Sequence, residues 1–113
     1  MAATSIPVLT INRTLTGTVA QFGPVTAAGA AASAAGNAVG IARVGGASGA
    51  IVPVDVFGVA ICTAGAAITA GALVEVHTTV SQVVTKAAGV AIGRALSAAG
   101  AAGDLIDVLL IPN

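Results

Sequence analysis

The chain is short of almost everything that binding and catalysis usually draw on. It has no Trp and no Tyr, one His, one Cys, and only four basic and four acidic residues in 113, for a formal net charge of zero. Nucleic-acid recognition rests on clustered Lys and Arg that neutralise phosphates, and no two of Arg13, Arg43, Lys86 and Arg94 are adjacent. Without Trp or Tyr there is also little to stack on bases, so nucleic acid is not an expected partner. A lone Cys62 rules out an internal disulfide and a Cys-based zinc site. One His and four scattered carboxylates give no metal-ligand spacing, and Lys86 sits in "VVTKAAG", outside any phosphate-cradling G-x-x-x-x-G-K-[ST] loop. No metal and no cofactor are expected. The first 21 residues lack both the basic region and the continuous apolar stretch of a signal peptide, which predicts synthesis in a cytosol without export.

Catalysis fares no better. Cys62, His77 and Asp55 could be imagined as nucleophile, base and orienting acid, but one Cys and one His make that pairing in any chain. Nothing charged adjoins Cys62 to lower its pKa, so it reads as a small buried thiol. His77, next but one to Glu75, reads as part of a solvated strand face. No catalytic residue is assigned, and the chain is not expected to be an enzyme.

What is present is alanine and glycine, 28 and 15 residues respectively. The side chains that bury real area are 16 Val, 9 Ile, 7 Leu and 2 Phe. Each yields about 1.5–3 kcal/mol when fully buried, while ordering a residue costs about 1.5 kcal/mol. The core is therefore thin for the chain's length, and further burial against other chains would support it. Near-zero net charge gives little protection against association.

The pattern of these side chains has period two. "TLTGTVA" (14–20) puts Leu15, Gly17 and Val19 on one face. "IVPVDVF" (51–57) puts Val52, Val54 and Val56 on one side and Pro53 and Asp55 on the other, with Pro53 suggesting an edge strand or a bulge. "LVEVHT" (73–78) turns Val74 and Val76 inward and Glu75 and His77 out. "LIDVLLI" (105–111) sets Ile106, Val108 and Leu110 opposite Asp107. Short alternating β-branched runs broken by Gly-rich turns predict an all-β fold with at most a short helix, a small β-sandwich or barrel. The Ala-rich segment 26–40 has no apolar stripe and carries Gly29 and Gly36, so it reads as a long loop with at most one helical turn. Residues 95–104 read as a connection. Segments 39–57 and 90–110 share one plan: a small strand with Gly and Arg, a Gly/Ala/Ser link, then an apolar strand with one Asp. They predict two related hairpins.

One run tests this reading. "VFGVAICTAGAAITAGALV" (56–74) has no charge over 19 residues, near the roughly 20 that span a bilayer. Both flanks are acidic, though, with no Trp or Tyr for the interface, and Gly58, Gly65 and Gly71 interrupt the run. A strand, a turn and a second strand fit better. A membrane helix over 56–74, in a holin- or proteolipid-like protein, stands as the alternative.

The stretches "AAITAGALVEV" (66–76), "VVTK" (83–86), "IGRAL" (92–96) with Gly103–Asp104, and the closing strand 105–111 together resemble the C-terminal half of the capsid cement, or head decoration, proteins of tailed phages. The likeness extends upstream through "VGIA" (39–42) and "GVA" (58–60). It implies a small β-rich domain on the outer surface of an expanded phage head, bound to the major capsid protein and often homotrimeric, stabilising contacts between capsid subunits and made in the host bacterial cytoplasm. It also implies a division into an N-terminal arm or first strands over 1–20 and one domain over 21–113. Such a protein needs apolar burial and main-chain pairing between an extended arm and a capsid strand. The Thr-rich segment 4–19 is the expected contact, with Thr4, Ile6, Val8, Thr10, Ile11 and Arg13 as its candidates; the same segment reads equally as the first two strands of the domain.

Overall fold

The computed structural model describes residues 4–33, 38–77 and 81–111. Eight strands follow one another, β1 (Ile6–Thr14), β2 (Pro24–Thr26), β3 (Ala38–Ala42), β4 (Ile51–Thr63), β5 (Leu73–Val76), β6 (Val83–Thr85), β7 (Gly93–Ala95) and β8 (Leu105–Leu110). No helix occurs among the described residues, and the expected all-β class is what is found.

β4 is the spine. Residues 54–55 pair with both β1 and β3, and residues 58–59 with both β1 and β8, all antiparallel. A strand has two edges, so β1 takes one edge of β4 while β3 and then β8 share the other. From β8 the sheet runs on through β7, β5 and β6. A parallel bridge between Ala64 and Val83, with Gly65 N donating to Val83 O at 2.8 Å, then returns β6 to the end of β4. The sheet thus nearly closes into a small barrel.

Two apolar clusters follow from the alternation. The larger fills the barrel with Cys62, Ile106, Val108, Val74, Val76, Val83 and Ile92, all buried. The smaller lies under β1–β3 and the first half of β4, with Leu15, Val19, Val25, Val52 and Val54. The two repeated segments form the hairpins β3–β4 and β7–β8, joined to each other along β4 and β8. The glycine of each first strand sits where a Cβ would reach the opposite backbone, 2.3 Å from Asp55 O at Gly40 and 2.6 Å from Leu109 O at Gly93.

Three expectations are corrected, and two alternatives fall away. The run 56–74 is no membrane helix: its first residues finish β4, its last two begin β5, and no described helix is long and apolar enough to span a bilayer. The alternation at 14–20 is not a strand, because β1 ends at Thr14, Leu15 N donates to Ala50 O, and Val19 makes only an isolated bridge to Gly46. Leu15 and Val19 are both buried, so the pattern reported burial without a ladder. Pro53 stands in the most paired strand of the sheet. Its carbonyl accepts from Arg43 N at 3.0 Å, and the Arg43 carbonyl, which proline cannot serve in return, accepts from Gln21 Nε2 at 3.2 Å. Glu75 is buried rather than solvated: Ala87 N donates to its Oε1 at 3.1 Å, and its Oε2 has no hydrogen-bond partner among the described residues. The helical turn allowed for 26–40 is not found over 26–33 or 38–40; residues 34–37 lie outside the described residues.

Candidate interaction surface

The side chains that could carry chemistry are sealed or structurally engaged. Cys62 is fully buried, and its pKa is pushed far above the ordinary thiol value, first by burial and then by the negative charge of Asp55. A nucleophilic cysteine needs the reverse environment. Asp107 accepts from Ser97 Oγ, and Asp104 Oδ2 accepts from Gly100 N at 2.8 Å and Ala101 N at 3.2 Å, which are turn and strand bonds. Among the described residues no three His, Cys, Asp or Glu side chains come together to hold a metal ion.

The distinctive geometry lies where β1 meets β4. Their pairing runs regularly from Thr14 opposite Ile51 back to Thr10 opposite Asp55, then slips twice. Leu9 faces Phe57 and Pro7 faces Gly58, so Val56 on β4 and Val8 on β1 are each passed over and the two bulges cancel. Gly58 has φ 99°, and an added Cβ would lie 2.6 Å from both Ile6 O and Val8 N.

The paired strands bend sharply there. Ser5 precedes Ile6, which faces Val59, whereas Thr10 faces Asp55. On a straight ribbon Ser5 and Asp55 would be about 17 Å apart. Instead Ser5 Oγ is 3.4 Å from Asp55 Oδ2, while Thr10 Oγ1 donates to Oδ1 at 2.8 Å. Arg43 Nε lies 3.4 Å from Oδ2. A carboxylate only 2% exposed is thereby given two hydroxyl donors and a guanidinium, as a buried charge requires. Asp55, Ser5, Arg43, Phe22, Ile41 and Ile61 line a small cavity of about 140 Å³ on this inner side of the bend.

The opposite side is apolar and open. Val8 is 71% exposed, Ile6 59%, Leu9 53% and Phe57 46%. The same face runs on across the sheet in register, from Ile6 to half-buried Val59, exposed Leu109, the charged Arg94 and half-buried Leu73 on β1, β4, β8, β7 and β5 in turn. Leu109 and Leu105 on β8 and Leu96 just past β7 are also more than 40% exposed. Contiguous exposed apolar side chains of this kind mark interaction surfaces more often than they mark idle ones.

Of the six candidates, Ile6, Val8, Thr10, Ile11 and Arg13 lie on β1, and Thr4 lies two residues before it. Thr4, Ile6, Val8 and Arg13 are exposed. Thr10 is exposed overall but commits its hydroxyl to Asp55, and Ile11 packs inward against the smaller cluster. Sequence reasoning missed Leu9, Phe57 and the role of Asp55. The available signal was an Asp in the middle of an apolar strand, with hydroxyl residues gathered in the N-terminal segment.

With Cys62, Asp55 and Glu75 buried and a largely apolar sheet face left exposed, this all-β chain has the surface of a protein that binds other proteins. More particularly, the family profile described as phage cement protein matches residues 4–110, nearly the whole chain, and the protein belongs to that family. This is a family of structural proteins associated with the phage capsid. No curated protein matches the chain.

Proposed function

We propose that the protein is a head decoration protein that binds the outer surface of the expanded capsid, as a homotrimer, and ties neighbouring major capsid subunits together without any chemistry of its own. The contact is β1 and the apolar patch beside it, with Thr4, Ile6, Val8 and Arg13 facing the shell next to Leu9 and Phe57, Thr10 held by Asp55, and Ile11 seating the strand on its own core.

One observation carries this reading: β1 pairs only with β4, so its outer edge is unpaired among the described residues. Arg43 N bonds to Pro53 O, which turns Pro53's polar groups toward β3. Asn12 faces Pro53 from the other edge, so its own N–H and C=O point away from β4, as do those of Thr10 two residues earlier. Exposed edges are usually guarded by charge, proline or bulges. Here Pro7 and the bulges guard the first half of β1 and Gly29 packs against the Thr14 carbonyl, leaving Thr10–Arg13 with a single charge, Arg13. A capsid strand can add to that edge.

The test mixes purified protein with expanded, undecorated capsids and follows saturation by sedimentation. Wild type should saturate a symmetric set of sites. N12P removes a donor that faces outward, as proline at a sheet edge does without harm to the sheet, and should weaken binding at least tenfold while leaving thermal stability nearly unchanged. I11P removes a donor to β4 and should destabilise the fold itself. Absence of saturable binding by wild type would refute the proposal.

A further inference from the structure

We infer that Asp55 is a positioning residue for this contact: it holds the bend that presents Val8, Leu9 and Phe57. The inference rests on the capsid-contact reading of β1, but its structural half can be measured separately.

The backbone alone does not fix this part of β1. Two register slips lie between Pro7 and Thr10, and no described strand covers the other edge. A bulged ribbon paired on one edge has neighbouring registers close in energy, because a slip of one residue exchanges one ladder for another. The hydroxyls remove that freedom. Thr10 binds Asp55 immediately after the second slip, and Ser5 binds it from beyond the first, so one carboxylate clamps both ends of the irregular stretch. Arg43, arriving from the end of β3, binds the same oxygen as Ser5 and fixes the carboxylate against the body of the sheet. On the other side of the bend lie Val8, Leu9 and Phe57, whose relative placement is set by a group none of them touches through a hydrogen bond. Losing either hydroxyl would free one end of the clamp and leave a buried charge with fewer donors. The exposed apolar side chains would remain, but no longer as one preformed surface, and binding would bear the entropy of ordering them.

Thr10 gives the cleanest perturbation. T10V keeps the size and branching of the side chain and removes the hydroxyl, whereas T10S keeps the hydroxyl. Amide hydrogen exchange read over residues 4–9 should quicken at least tenfold in T10V and stay within twofold of wild type in T10S, with exchange over β8 unchanged in both. Affinity for undecorated capsids should fall at least tenfold in T10V and be retained in T10S. D55N, which keeps the shape and removes the charge, should follow T10V; slow exchange over β8 reports whether each variant remains folded. Unchanged exchange over 4–9 in T10V would overturn the inference, as would equal loss of binding in T10V and T10S. Wild type that ignores capsids would refute the functional reading alone, and the exchange contrast would still decide whether Asp55 holds the bend.

Discussion

Replacing Gly58 with alanine disturbs two things at once. A φ of 99° costs an L side chain about 1–2 kcal/mol, and the new Cβ would sit 2.6 Å from two backbone atoms of β1. Backbone cannot swing aside as a side-chain tip can, so the overlap carries an overpacking cost of about 1–3 kcal/mol. Other glycines separate the two effects. Gly71 has φ 90° and open space around it, so G71A bears strain alone. Gly93 has no positive φ, but its Cβ would meet Val108 Cγ1 at 2.5 Å and Leu109 O at 2.6 Å, so G93A bears crowding alone. Gly17 has neither, and G17A should gain about 0.4–1 kcal/mol through a less flexible unfolded chain. For a domain of this size 1 kcal/mol is worth about 4 °C in Tm. G17A should therefore melt about 2–4 °C above wild type, and G71A about 4–8 °C, G93A about 4–12 °C and G58A about 8–20 °C below it. Thermal unfolding followed by circular dichroism at fixed protein concentration measures all four. G58A melting no lower than G71A would refute the close approach of β1 to Gly58, and with it the bend.

Cys62 should ignore a thiol reagent in the native protein and react at once when the chain is unfolded. Because its folded pKa is raised above the ordinary 9.0, the unfolded chain releases the proton first as pH rises. Stability is then fully present below about pH 9 and falls above it by up to about 1.4 kcal/mol per pH unit; C62A should lack that slope in urea unfolding at pH 9–11, and an identical slope in both proteins would contradict this account. Glu75 keeps one buried oxygen without a hydrogen bond among the described residues, so E75M, which removes that oxygen and keeps the side chain's length, should gain about 1 kcal/mol. A loss in denaturant titration would show that oxygen to be bonded.

The legible parts of the fold were those with long side chains in strict alternation. Val52 and Val54, Val74 and Val76, and Ile106, Val108 and Leu110 all point inward as their spacing requires. The repeated plan of 39–57 and 90–110 was legible too, because each hairpin needs its own glycine against the partner backbone. β2, β6 and β7 are three residues each, too short for a period to show. β1 was partly hidden because the bulges at Val8 and Val56 break its alternation where the bend begins. Glu75 misled because alternation says which face a residue takes, not whether a later segment will cover that face; Ala87 does so. Asp55 shows the same limit, since its partners at Ser5, Thr10 and Arg43 come from segments up to 50 residues away.

Among the described residues seven of the buried apolar side chains are alanines, Ala60, Ala64 and Ala95 within the barrel among them. Alanine has no side-chain rotamer to lose on folding, and for the same reason it has no alternative rotamer to adopt afterwards. These positions can therefore be arranged in only one way. In the proposed decoration role, where many copies would meet the shell in one pose, an interior with little to rearrange is a gain: every copy arrives already alike.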